Sequence, residues 1–249
     1  MINLVRGDLR RIIRKKGFLI ALIFIVLFVI VLAIAQRAVR WNGYAYIYSV
    51  QQQINLYNLI LSALIFLAVY GDEFKAMAMT CAIGRGVSRN KLIISKLIDN
   101  VILSALLYGI LAVILVLLGK ILGANMTTEE TLALVLNMMI GAYKTIGFTT
   151  LASVVLFVNA NVPLGLFILL ILQLMMTMIF STAAASSKLI SRLHVDRWYY
   201  GGMADSGYSS IMLGMTGEGI FTLILGFVLY VGIALCITIA LFSKRELDF

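Results

Sequence analysis

Few side chains in this chain could do chemistry. His194 is the only histidine, with Ser191 and Asp196 nearby. Neither a second ligand nor a second base accompanies them, so metal binding or catalysis there is not expected. Glu129 and Glu130 form an acidic pair of the kind that can activate water. Intramembrane proteolysis with such a pair needs an arginine four residues on, where Leu134 stands, and histidines on other segments. Gly119-Lys120 lacks both the upstream glycine and the hydroxyl residue of a phosphate-binding loop. Lys144 and Gln173 call for more explanation, because each sits near the middle of an apolar segment. A lysine at bilayer centre costs about 2.5–3.5 kcal/mol on insertion scales, so it usually faces protein or water. Asn137, Gly141, Lys144, Thr145 and Phe148 share one helical face. Gly141 and Thr145 form a small-xxx-small pair that permits close helix approach. This face is expected to meet a second copy or line a transport path, with Gln173 as the partner of Lys144 within the chain. The plainer alternative is a lysine that only packs or snorkels.

The elements that position these residues are apolar helices. Of 249 residues, 62% are hydrophobic and 12% charged, and the mean hydropathy is +1.05. Soluble domains run near 45–50% apolar and about 25% charged, so this is expected to be an integral membrane protein. The net charge of +9 clusters beside apolar segments, which points to lipid headgroups and topology rather than nucleic acid. Cys81 and Cys236 suggest neither a disulfide nor a metal site.

The reading is one all-α membrane domain over 1–249, with six transmembrane helices. Residues 1–17 form a basic amphipathic helix for the membrane interface. Ile2, Val5, Leu9, Ile12 and Ile13 make its apolar row, and Arg6, Arg10 and Arg14 a cationic one, joined by Arg11, Lys15 and Lys16. The spans are 18–36, 56–70, 98–118, 132–157, 163–185 and 220–242. The first imitates a signal peptide but exceeds its ~7–15-residue apolar core. Trp41, Tyr44, Tyr46 and Tyr48 suit the headgroup layer before the second span. Asn58 and Ser62 give that span a polar face. Pro163 falls near a helix start, where its missing N–H costs least. Residues 158–162 form a tight hairpin. Residues 186–219, broken by glycines, are expected to form two short helices dipping back into the membrane. Thirteen Lys and Arg fall on one side and six on the other, so both termini are expected to be cytoplasmic.

The longest inner break reads GDEFKAMAMTCAIGRGVSRNKLIISKLI, from Gly71 to Ile98. Phe74, Met77, Ala78 and Cys81 share one helical face. Gly84-Arg85-Gly86 should end that helix, because glycine takes the left-handed cap conformation. Ser88 should N-cap the next helix, which carries Arg89, Lys91 and Lys96. The acidic-Phe-Lys start, Gly-Val-Ser-Arg and the downstream Ser-Lys resemble the first cytoplasmic loop of type-2 ABC exporter permeases. The family's interfacial first helix and its re-entrant pair before the last span suit the same layout.

That resemblance implies a coupling helix over 71–97 that rests on a separately encoded ATPase. It makes Glu73, Phe74, Met77, Arg85, Ser88, Arg89 and Lys96 the ATPase-coupling residues. It implies a homodimer with two ATPase copies, ATP and Mg bound by the partner, and no cofactor or catalytic role in this chain. The host would be a bacterial or archaeal cell, and the cargo a small amphipathic or antimicrobial peptide or drug. An ATP-independent transporter is the rival, but internal repeats are missing. A bacteriocin-immunity membrane protein is another. A membrane enzyme lacks its acid, base and metal groups.

Overall fold

The computed structural model describes residues 2–35, 42–71, 74, 82–84, 86–186 and 195–244. These form helices and turns, with no strand among the described residues. In order they are α1 (Ile2–Arg14), α2 (Lys16–Ala35), α3 (Gly43–Phe66), α4 (Arg89–Ile121), α5 (Thr128–Asn159), α6 (Val162–Ser186), α7 (Val195–Trp198), α8 (Tyr200–Met212), α9 (Thr216–Gly226) and α10 (Ile233–Lys244). A π-helical stretch, Leu67–Gly71, extends α3, and another, Phe227–Gly232, joins α9 to α10. Five units are long and apolar enough to cross a membrane: Lys16–Ala35, Gly43–Gly71, Arg89–Ile121, Thr128–Asn159 and Thr216–Ser243. Helix α6 carries a shorter apolar run, Val162–Met175.

Helix α5 is the hub. It packs against α3, α4, α6, α8 and α10, and its apolar window is the most buried of the five. A capping box starts it. Glu130 accepts from the Thr127 backbone N–H at 2.7 Å, and Thr127 Oγ1 accepts from the Glu130 N–H at 3.2 Å. Glu129 and Glu130 are thus first-turn residues that satisfy orphan N–H groups and suit the helix dipole. Ala160, at φ 53°, closes the other end. Asn161 Oδ1 then caps α6 by accepting from Leu164 N at 3.1 Å, with Pro163 in the first turn as expected.

Two boundaries differ from the sequence reading. Helix α3 begins at Gly43, not Leu56, with Asn42 Oδ1 accepting from Ala45 N at 2.8 Å. Tyr44 and Tyr48 are exposed, but Tyr46 is fully buried and donates to the Leu115 carbonyl at 2.6 Å. The reason is helical spacing, which puts Tyr46, Val50, Tyr57, Leu61 and Ile65 on the inner face. The last long helix begins at Thr216 instead of Ile220. The segment before it forms α7 and α8, and α8 folds back along α9 and α5. The α8–α9 crossing is close because a Cβ on Gly219 would lie 2.7 Å from the Gly207 carbonyl oxygen.

Helix α1 is amphipathic as expected. Val5 and Ile12 are buried, Leu9 packs on the core, and Arg6, Arg10, Arg11 and Arg14 are exposed. Ile2 and Ile13, read as part of the same apolar row, are exposed. Its inner side rests on α4.

Candidate functional site

A ladder of buried polar side chains crosses the bundle. Ser62 on α3 donates to Gln173 Oε1 on α6 at 2.7 Å, and Gln173 Nε2 donates to the Asn58 carbonyl at 3.4 Å. Tyr108 on α4 donates to Asn58 Oδ1 at 2.8 Å and shares a 2.7 Å bond with Thr145 Oγ1 on α5. Thr149 donates to the Thr145 carbonyl at 2.7 Å and accepts from Asn100 Nδ2 at 2.6 Å. Buried polar groups of this kind are tolerated only when bonded, and here the bonds tie α3 to α6, α3 to α4 and α4 to α5, with one inside α5. The polar face read on α3 from Asn58 and Ser62 therefore meets protein.

Lys144 stands beside this ladder. Its ammonium lies 2.6 Å from Asp205 Oδ1 on α8. The expected partner, Gln173, is instead engaged by Ser62 and Asn58, so that pairing is corrected. The cause is the fold-back of α8, which brings an acid to α5 from 61 residues away. Lys144 is 14% exposed and Asp205 59%. Together with Asn55, Asn58, Asn137, Gly141, Ile54 and Ile140 they line a cavity of about 170 Å³. A smaller one, about 40 Å³, touches Lys144, Gln173 and Asn58 on another side. Asn137, Gly141, Lys144 and Gln173 are thus gathered around two neighbouring cavities. Thr145 is fully buried against Tyr108. Gly141 faces Tyr108 and Asn58. Their small-residue face is therefore filled by α3 and α4 of the same chain. A Gly141→Ala Cβ would sit 2.6 Å from a Tyr108 ring carbon and 2.7 Å from Asn58 Oδ1. That substitution is expected to cost about 1–3 kcal/mol by overpacking, read as a lowered melting temperature in detergent.

Helix α8 is anchored by aromatic rings. Tyr200 stacks on Tyr143 with centroids 4.8 Å apart and donates to the Tyr143 carbonyl at 2.7 Å. Tyr143 in turn donates to the Leu223 carbonyl at 2.9 Å, and Tyr230 to that of Trp198 at 2.7 Å.

Of the expected coupling residues, Phe74, Ser88, Arg89 and Lys96 are described. Glu73, Met77 and Arg85 lie outside the described residues, as do Cys81, Ser191 and His194. Residues 82–84 are helical. Gly86, at φ +90°, donates to the Ile83 carbonyl at 2.9 Å, and Val87 to that of Ala82 at 3.1 Å. This is a Schellman stop, and only glycine takes its backbone angles without strain. Ser88 occupies the N-cap of α4, but its side chain makes no cap bond. Phe74 meets Phe157 edge-on at 5.5 Å, and Phe157 meets Phe242 at 5.2 Å. Arg89 lies 5.7 Å over the Phe242 ring and donates to the Phe242 and Ser243 carbonyls at 2.8 and 3.0 Å. It thereby caps α10, where a cation suits the helix dipole.

Lys96, which the resemblance placed among the coupling residues, turns inward. It is 2% exposed, 2.6 Å from Asp8 on α1 and 3.7 Å from Asp99 one turn along α4. Asp99 is fully buried. The sequence reading passed over Asp8, Asp99 and Asp205. An acid three residues after Lys96, followed by Asn100 and Ser104 at helical spacing, was the available signal for a buried polar face. Asp8 and Asp205 had no local signal, because their partners are distant in sequence.

Among the described residues no group of three or more His, Cys, Asp or Glu is placed to hold a metal. A largely apolar groove of about 600 Å³ runs between α5 and α10, beside Trp198 and Tyr230. No family model matches the chain, and no curated protein matches it.

Proposed function

We propose that the chain is the permease subunit of an ABC exporter. It would carry a small amphipathic or antimicrobial peptide or drug outward on ATP hydrolysed by a separate ATPase subunit, with Mg bound there. Two copies of the chain would work with two ATPases. The reading places it in a bacterial or archaeal cell membrane with both termini cytoplasmic. Helices α2, α3, α4, α5, α6 and the α9–α10 unit are its six spans, α1 is its interfacial helix, and α7–α8 its re-entrant pair.

The supporting observation is the contact chain at the α3–α4 connection. Phe74 touches Phe157 at the end of α5, Phe157 touches Phe242 on α10, and Arg89 at the start of α4 holds the Phe242 carbonyl. A push on this connection reaches three long helices through packed rings and one cation, which suits a segment that receives force from a docked partner.

The resemblance makes Arg85 a residue that meets that partner. Arg85→Glu is expected to abolish co-purification of a P-loop ATPase encoded beside the chain, and with it the hydrolysis that the chain stimulates. Coupled hydrolysis that survives the change rules out this connection as the transmitter. Orientation has its own check with an impermeant maleimide on intact cells. A Ser209→Cys probe should label before lysis, and Cys81 only after it.

The buried Asp8–Lys96–Asp99 cluster favours a second reading, an ion-driven transporter, since ionisable groups within membrane helices often mark ion pathways. Export that stops with a protonophore at constant ATP would select it.

A further inference from the structure

We propose that the 170 Å³ cavity between α3, α5 and α8 binds a zwitterionic end group, and that Lys144 and Asp205 exchange their mutual ion pair for its two charges. As the substrate site of a transporter it rests on the export reading; as a binding site it rests on the geometry. The wall offers one ammonium and one carboxylate 2.6 Å apart, with the side chains of Asn55, Asn58 and Asn137 around them. A lone anion would be drawn to Lys144 and repelled by Asp205. A lone cation would meet the reverse. A zwitterion satisfies both, and carboxamides can donate to its anion and accept from its cation.

Exposure sets the order of the charges. Asp205 is 59% exposed and Lys144 14%. The cationic end therefore sits outward on Asp205 and the anionic end inward on Lys144. Lys144, at 14% exposure, keeps a partner throughout, because the ligand's anion replaces Asp205 as the pair opens. Size narrows the ligand further. The cavity is smaller than the ~300–1,000 Å³ of drug-sized sites. It holds about six waters at roughly 30 Å³ each. It takes an α-amino acid group or an amino-phosphate headgroup, and the rest of any larger molecule remains outside. Gly141 lets Tyr108 and Asn58 pack close beside the cavity, since a methyl there would press on both.

The test uses the full chain in nanodiscs of phosphatidylglycerol, which supplies no zwitterion. Isothermal titration compares glycerophosphoethanolamine and glycine with ethylamine and acetate. At least one zwitterion should bind saturably, and both single-charge probes at least tenfold more weakly. Whichever zwitterion binds identifies the source as a lipid headgroup or a free amino acid. Lys144→Met and Asp205→Asn should each weaken binding tenfold or more, and Lys144→Arg should stay within a few-fold. The proposal is overturned if neither zwitterion binds the native chain. It is equally overturned if acetate or ethylamine binds as well as the zwitterions, or if Lys144→Met, folded by its melting curve, binds like the native chain. Zwitterion binding without any ATPase coupling would leave this site standing and remove the export reading. ATPase coupling without zwitterion binding would do the opposite.

Discussion

Lys96→Met is expected to destabilise the protein by about 3–5 kcal/mol, the range for removing one partner of a buried ion pair. Methionine fills the space but leaves Asp8 and the fully buried Asp99 without the ammonium that lies 2.6 and 3.7 Å from them. Arg11, 3.7 Å from the other oxygen of Asp8 and half in solvent, compensates only weakly. The loss should appear first as release of α1 from α4. Protease should then cut near residue 15 at temperatures where the rest of the native bundle is intact. The triple variant Lys96→Met, Asp8→Asn, Asp99→Asn removes the stranded charges and should regain most of the loss. A Lys96→Met protein that melts with the native one would mean that the cluster does not fasten α1.

Gly147→Ala is the second large effect, at about 3–5 kcal/mol, the cost of losing a buried aromatic side chain. The new methyl would fall on ring atoms of Tyr200. Helix α5 cannot yield there, because Phe148, Thr149 and Thr150 beside it are buried. The tyrosine must leave, and with it go the stack on Tyr143, the edge contact with Phe148 and the bond to the Tyr143 carbonyl. Helix α8 would loosen and Asp205 would move away from Lys144. Melting temperature in detergent reads the loss. The paired change Gly147→Ala with Tyr200→Leu should recover part of it, because leucine is smaller at the same contact. If Gly147→Ala alone melts like the native protein, Tyr200 is not the anchor of α8.

Local pattern was legible in the sequence and distant pairing was not. The apolar row of α1, the Gly86 stop, Pro163 at the start of α6 and the hairpin near Ala160 each follow from residues within one or two turns. All-helical structure with several membrane-length helices follows from apolar runs. Tyr46 was misplaced because an aromatic residue at a span's end suits either a headgroup layer or a helix interface. Helix α3 starts early enough to turn it inward. Lys144 was recognised as needing a partner, but Asp205 lies on a segment whose fold-back no short window reveals. Lys96 was read through the resemblance, while Asp99 and Asn100 show that the face around it is internal. Glu73, Met77 and Arg85 lie outside the described residues, so their assignment rests on the resemblance.

The π-helical stretch Phe227–Gly232 acts as a phase slip in the last long helix. Before it the buried positions are Gly219 and Gly226, within it Val231, and after it Ala234, Thr238 and Phe242. The step from Gly226 to Val231 is five residues, where an α-helix would take three or four to return to the same face. The wide turn absorbs the extra residue and keeps the α9 half against α8 and the α10 half against α5. Deleting one residue there would shorten the helix by only about 1.5 Å but turn everything beyond it by roughly 100°. Phe242 would swing off Phe157, and the carbonyls held by Arg89 would face elsewhere. Helix length at this point is therefore a rotational setting, and the two ends of the α9–α10 unit are indexed to each other by a single residue.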